Sequence, residues 1–253
     1  FPLMNLTAAF CNLVSAGGST ISSIRLGQKD MEGVNKVLGN TLMLCLINAV
    51  VFGGLTFIFL DAILRFFGAS GETLPYARDF MQVILLGTPI TFTMIGLNHI
   101  MRATGHPKKA MLTSLTTVVC NIILAPIFIF QFDWGIRGAA LATVISQFIG
   151  MLWVLNHFLQ RSNPIRLRHG FQRMERRIVG SIFSIGMSPF LMNLAACFIV
   201  ILINKGLKQY GGDLMIGAYG IVNRLAFFFV MIVMGINQGM QPIAGYNFGA
   251  RQY

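Results

Sequence analysis

Met234–Arg251 reads MGINQGMQPIAGYNFGAR. It closes a long apolar run with Gly, Gln, Pro, Asn and Gly, and ends on a cation. A fainter version stands near the other end of the chain, Ala16–Gln28, AGGSTISSIRLGQ. In both, an apolar helix passes through small and polar residues to a glycine and a basic residue. Gly17 and Gly27 are ten residues apart, as are Gly239 and Gly249, and the two pairs are offset by 222 residues. Self-similarity of this kind reports two related halves. The rest of the chain is read with that expectation.

Hydrophobic residues make up 55% of the chain and charged residues 11%. Soluble domains carry about 25% charged residues. So few polar side chains cannot cover a water-facing surface, and the chain reads as an integral membrane protein in contact with lipids. The net charge of +11 comes from 19 Lys and Arg against 8 Asp and Glu. In a soluble protein that balance would point to nucleic acid. Here the cations sit in connections between apolar segments, so they report topology instead, and no nucleic-acid partner is expected. Cys11, Cys45, Cys120 and Cys197 lie far apart within apolar segments. They read as small buried hydrophobes, with no disulfide or metal-binding spacing.

Seven apolar segments can be marked, at 1–24, 39–60, 80–101, 110–131, 139–159, 179–204 and 214–242. Each suits a bilayer-spanning helix, which needs about 20 residues; barrel strands would be about half as long and would alternate. The fold class is therefore all-α integral membrane. Alternate connections are rich in cations: Arg25, Lys29 and Lys36; Arg102, Lys108 and Lys109; Arg161, Arg166, Arg168, Arg173, Arg176 and Arg177; and Arg251 after the last segment. The intervening connections are poorer, so the basic set is cytoplasmic. Residue 1 then lies near the outer face. An odd number of helices, most simply one, is expected to precede it, and the chain reads as part of a longer protein. The 160–178 connection is the longest and most basic. It is read as a cytoplasmic linker between an N-lobe at 1–159 and the start of a C-lobe at 179–253. It could lie on anionic lipid or be solvated.

Several stretches carry a family resemblance: GHPKKAM (Gly105–Met111), WGIRGAALAT (Trp134–Thr143), IGMSPFLMN (Ile185–Asn193), GAYGIVNR (Gly217–Arg224) and the closing NQGMQPIAGYNFGAR. In order and spacing they resemble the multidrug and toxic compound extrusion (MATE) family, specifically its bacterial drug/cation antiporters. The resemblance implies a twelve-helix, two-lobe transporter, of which these seven would be helices two to eight. It also implies a multi-pass, monomeric protein of the bacterial inner membrane, with no cofactor and with H⁺ or Na⁺ as coupling ion. Its partners would be small organic cations or drugs.

In an ion-coupled transporter a buried carboxylate can hold the coupling ion. Asp30, Glu32, Asp61, Glu72, Asp79, Asp133, Glu175 and Asp213 all fall in connections or at segment ends. Some MATE members carry an Asn-x-x-x-Asp-Pro pattern on the fifth helix; this chain reads Asn121-Ile-Ile-Leu-Ala125-Pro126, with Ala125 in the place of the Asp. Other members use a Glu on the seventh helix, and here Leu194–Cys197 offers none. Asn121 remains, either as a cation ligand or as an interhelical hydrogen-bonding group.

Arg224 is a charge deep in an apolar segment, which must face a bundle or a wet cavity. Asn223 and Asn193 are its candidate partners, and its role is either gating or structural. Gln238 and Gln241 are placed at the inner mouth of a cavity. Histidine side chains can titrate near neutral pH, but His99, beside Asn98 at the cytoplasmic end of its segment, is read as structural. Pro89, Pro126, Pro189 and Pro242 each interrupt a helix and free the carbonyl four residues back. They are hinge candidates, or else static kinks. Phe190 and Met192 are cavity candidates for hydrophobic cations, through aromatic faces and adaptable thioethers.

The leading function is export of organic, cationic or amphipathic drug-like compounds in exchange for H⁺ or Na⁺. The alternative is a flippase for lipid-linked precursors, which would need a cationic cavity for pyrophosphate. A membrane enzyme is not expected, since no HExxH or GxSxG is present.

Overall fold

A computed structural model describes residues 2–67, 71, 73–160, 163–167 and 174–252. Those residues form eight helices, with no strand among them. They are α1 (Pro2–Gly27), α2 (Met31–Ile58), α3 (Leu60–Phe66), α4 (Leu74–Leu86), α5 (Thr88–Ala103), α6 (Pro107–Pro126, with a π-helical turn Ile127–Gln131), α7 (Gly135–Leu159) and α8 (Arg176–Gly249).

Helix α1 is the centre of the molecule, packing against α2, α5 and α8. It is unusually rich in small and hydroxylated residues for a buried helix. Ser15, Ser22 and Ser23 are fully buried. Their hydroxyls need no outside partner, because each donates to a carbonyl of its own helix: Ser15 to Cys11 (2.9 Å), Ser22 to Gly18 (2.8 Å) and Ser23 to Thr20 (2.8 Å). Back-bonding of this kind makes α1 both polar in sequence and packable at short range. A Cβ added at Gly17 would stand 2.1 Å from the Ile182 carbonyl oxygen, and one at Gly186 would stand 1.7 Å from that of Leu13. The backbones of α1 and the first part of α8 therefore touch, running antiparallel.

At the basic end the same helix meets the last part of α8 in the opposite sense. A Cβ at Gly27 would lie 2.0 Å from the Tyr246 oxygen, and one at Gly249 would lie 2.0 Å from the Ile24 oxygen. The 222-residue offset maps Ile24 onto Tyr246 and Gly27 onto Gly249. Each contact is thus the image of the other, as a two-fold relation between copies would produce. Gly239 takes no part, having no neighbour at its Cβ position.

These contacts also show that α8 cannot be a rod. Gly186 and Gly245 would be roughly 90 Å apart in a straight helix. Their neighbours on α1, Leu13 and Ser23, are about 15 Å apart. The chain reverses between them, so α8 supplies two passages, Arg176–Val200 and Tyr219–Gly249.

With α4 and α5 taken as one broken span, the described residues make seven passages. Six are long and apolar enough to cross a membrane. The seventh is α1, whose 26 residues span about 39 Å. Lipid exposure differs sharply between passages. In α2, 39% of the most apolar stretch is buried, but in Pro107–Gln131 only 6% is. Side chains such as Val118, Ile122 and Ile123 are left exposed on α6, an apolar surface suited to hydrocarbon or to a further helix.

The segments differ from the sequence reading in three places. Residues 80–101 are not one helix: α4 and α5 bend by 55° at Gly87. Pro89 removes the partner of the Leu85 carbonyl, and the Thr88 hydroxyl replaces it at 2.7 Å. Residues 61–79, taken as a connection, are largely helical, in α3 and the start of α4. Asp61 and Arg65 stand in the end turns of α3, whereas Arg78 and Asp79 lie within α4 and do not break it. Several helices also outrun their apolar segments, because hydropathy marks the depth of the hydrocarbon and not the end of the hydrogen-bonded backbone. At Met31, α2 begins after Asp30, whose Oδ1 accepts from the Gly33 N–H at 2.8 Å.

Part of the 160–178 connection is neither free nor solvated. The Arg166 N–H donates to Asn35 Oδ1 (2.8 Å), and the Glu175 N–H donates to Asn40 Oδ1 (2.9 Å). Ile165 is buried in an apolar cluster with Val34, Leu38, Val154 and Phe158. Residues 161, 162 and 168–173, and with them Arg161, Arg168 and Arg173, lie outside the described residues.

Candidate functional site

Polar side chains collect in two places within the helical bundle. The first lies between α5, α6 and α7. Asn121 Nδ2 donates to Thr143 Oγ1 at 3.1 Å, and that hydroxyl donates onward to the Ala139 carbonyl at 3.0 Å. Thr91 on α5 bonds the side-chain oxygen of Gln147 on α7. These groups face one another because α7 packs against both α5 and α6. Asn121 and Ala125 are both half-buried. One turn beyond Asn121, the methyl of Ala125 offers neither charge nor hydrogen bond. This layer can therefore coordinate through neutral oxygens, but holds no carboxylate of its own.

The second place is the basic-end seam between α1, α5 and the last part of α8. Arg102 donates to the Gln238 side-chain oxygen, and its Nη2 donates to Asn98 Oδ1 at 3.2 Å. Asn98 is oriented in turn by donating to the Ala110 carbonyl at 2.9 Å. Gln241 Nε2 donates to Thr20 Oγ1 at 2.6 Å, and Thr20 donates to the Ala16 carbonyl at 2.9 Å. Ser19, His99, Arg102, Gln238 and Gln241 line a cavity of ≈ 10 Å³, room for about one water. Beside it opens a larger cleft of ≈ 640 Å³, lined by Met234, Asn237, Gln238, Met240, Gln241 and Phe248 among others.

The seven sequence-selected residues fall in separate parts of the molecule. Asn121 belongs to the first layer and Gln238 to the seam. Phe190 is half-buried against α1, edge-on to Phe10 with ring centroids 5.1 Å apart. Met192 faces outward, 70% exposed. Asn193 donates to the Pro189 carbonyl of its own helix at 2.7 Å, so its amide is already engaged. Asn223 is half-buried, and the Arg224 side chain lies outside the described residues. Of the four prolines, Pro89 stands at the 55° break and Pro126 precedes the π turn, while Pro189 and Pro242 lie within α8.

Described carboxylates gather at the two ends of the bundle. Asp30 pairs with Arg25 (3.7 Å), and Glu32 and Glu175 both pair with Lys36 (3.3 Å each). At the opposite end Asp61 pairs with Arg78 (3.5 Å) and Asp79 with Arg137 (2.8 Å). The sequence reading missed Thr20, Arg102, Thr91, Thr143 and Gln147. Gln147 was detectable as an amide inside the apolar run 139–159. Arg102 was counted among connection residues, although it belongs to the last turn of α5.

A family model described as MatE matches residues 1–127 and 182–253. The chain belongs to the MatE family. Multidrug export protein MepA of Staphylococcus haemolyticus (strain JCSC1435) is 33% identical to this MatE chain over 247 residues, covering 98% of the chain and 54% of the relative. MepA of Staphylococcus aureus (strain NCTC 8325 / PS 47) is 32% identical over 251 residues, covering 99% and 55%. The MatE chain thus spans about half the length of the curated relatives it matches. Among solved structures, the MATE multidrug transporter DinF-BH in complex with rhodamine 6G aligns with a TM-score of 0.89 at 35% identity, covering 99% of this chain and 56% of that one. An outward-facing multidrug resistance MATE family transporter of the MOP superfamily aligns at 0.93 with 26% identity, covering 100% and 56%. The MatE chain is therefore multi-pass and built on the transporter's two-lobe membrane fold. Proteins of this family are transporters, not enzymes, and the bacterial inner membrane is the compartment that fits this one.

Proposed function

We propose that the full-length protein exports organic cations or amphipathic drug-like compounds in exchange for H⁺ or Na⁺. Residues 1–159 are an N-lobe, 160–178 a cytoplasmic linker, and 179–253 the start of a C-lobe. The single observation behind this reading is the 33% identity to a multidrug export protein over 98% of the chain. The dye complex of DinF-BH supports the substrate class, since that relative is 35% identical over nearly the whole chain. Access alternates between the lobes around a site near the membrane midplane, and Pro89, at the 55° break, and Pro126, before the π turn, are the hinge candidates of the N-lobe.

The neutral layer around Asn121 binds no proton by itself, because amides and hydroxyls do not titrate in this range. With Ala125 at the carboxylate position, coupling depends on groups beyond this layer. The test is uptake of the same rhodamine dye into inside-out vesicles carrying the full-length protein, under an imposed H⁺ or Na⁺ gradient. Accumulation that follows one gradient supports the reading and identifies the ion. Uptake indifferent to both gradients rejects ion-coupled export.

A further inference from the structure

The seam at the basic end has an unusual charge balance. Arg102 is half-buried, yet among the described residues no carboxylate lies within ion-pair distance of it. Its guanidinium is held by two neutral amide oxygens, from Asn98 on its own helix and Gln238 on α8. A guanidinium satisfied by amides is held less strongly than one paired to a carboxylate, where both partners are charged. Nearby, Gln241 and Thr20 make a second bond across the same interface. Both bonds join residues far apart in sequence, from Arg102 to Gln238 and from Thr20 to Gln241. Arg102, Gln238 and Gln241 line the same cavity as Ser19 and His99. Around them the contact between α1 and α8 is backbone against backbone, at Gly27 with Tyr246 and Gly249 with Ile24. Glycine contacts of that kind hold two surfaces together by non-directional packing. The two polar bonds add a directional attachment across them.

We propose that Arg102–Gln238 and Thr20–Gln241 form a breakable latch that closes the basic end between α1/α5 and the last part of α8. The use of neutral acceptors for Arg102 keeps it weak enough to open in each cycle. This rests on the export reading for its role in a cycle, but the latch itself is a property of the seam. Turning Gln238 into a carboxylate should over-stabilise closure, whereas removing the Arg102 charge should relax it.

The experiment uses the full-length protein with its native cysteines replaced and Ser19→Cys as reporter. Ser19 is 5% exposed, so the thiol reacts with a membrane-impermeant maleimide in inside-out vesicles only when the seam opens. Gln238→Glu is expected to slow labelling about tenfold, and Arg102→Gln to speed it by a similar factor, given the strength of charge-assisted bonds. Gln241→Ala is expected to speed it about threefold, as loss of a neutral bond does. Opposite signs from Gln238→Glu and Arg102→Gln cannot both come from misfolding, so they support the latch. Equal signs, or no change in either, overturn it. Export of the rhodamine dye is measured on the same vesicles. Absent export with labelling of opposite sign rejects the export reading and keeps the latch, and normal export with unmoved labelling does the reverse.

Discussion

Ala16–Gly27 on α1 and Met234–Gly249 on α8 carry the same small-residue signature but live in different surroundings. On α1, Val14, Ser22 and Ser23 are wholly buried, and three helices surround them. On α8, Met234, Ile236, Ile243 and Phe248 are all more than half exposed, and contact is confined to the face turned to α1 and α5. The difference separates two signals that the sequence mixes. Glycine and serine positions specify where one helix backbone may approach another. The apolar flank specifies only that the rest of the surface is out of water. Where both coincide on all sides, as in α1, a helix becomes central.

The sharpest way to break the comparison is to fill the contacts. Gly186→Leu and Gly249→Leu push side chains into carbonyls that stand 1.7 and 2.0 Å from the first added atom. Neither carbonyl can move without its helix. Each change is expected to cost about 3 kcal/mol or more, the upper end for overpacking. It would be read as a large fall in melting temperature in detergent, and an unchanged melt would deny the close approach. Next in size is Asn35→Ala, which removes the side chain that accepts from the Arg166 N–H and donates to the Pro164 carbonyl (3.4 Å). Losing these is expected to cost about 1–2 kcal/mol. It should also hasten tryptic cleavage within 161–177 relative to cleavage elsewhere. Cleavage at the native rate would show that the connection is not docked by α2.

A smaller effect is expected from Asn121→Ala and Thr143→Val, which each remove the same interhelical bond. Such bonds in membranes average roughly 0.6 kcal/mol, so the two variants should lower the melting temperature equally and slightly. Export of the dye then sharpens the reading. Equal export from both assigns Asn121 to helix packing, and a loss confined to Asn121→Ala assigns it to ion ligation. The smallest effect is the internal control for the repeat. Gly239→Ala places a methyl in open space and improves helix propensity by up to about 1 kcal/mol. A neutral or slightly higher melt is expected, and destabilisation would mean that Gly239 is a contact glycine after all.

Much of the site was hidden from the sequence for one reason. Asn121 stood out because amides are rare in apolar segments, and Gln238 and Gln241 stood out for the same reason. Their partners did not. Thr143 and Thr20 read as ordinary small residues, because a threonine hydroxyl can be satisfied within its own helix. Arg102 read as an interfacial cation, because a run of basic residues follows it at Lys108 and Lys109. Only the packing of α5 beside α8 shows that it points into the seam.

Composition, segment length and the 222-residue offset are properties of the chain alone, and they are enough to specify a helical membrane protein with a duplicated signature. The sequence also located the basic end, because cations accumulate in alternate connections whatever the helices do. Tertiary structure decided the rest. It bent 80–101 into α4 and α5, with a hydroxyl replacing the hydrogen bond that Pro89 removes. It folded α8 back on itself, so that one helix meets α1 twice with opposite sense. It also turned the glycine echo into a reciprocal contact, Gly27 on Tyr246 and Gly249 on Ile24. A spacing can say that two stretches are alike. Whether they touch depends on the distance between backbones, which no one-dimensional pattern contains.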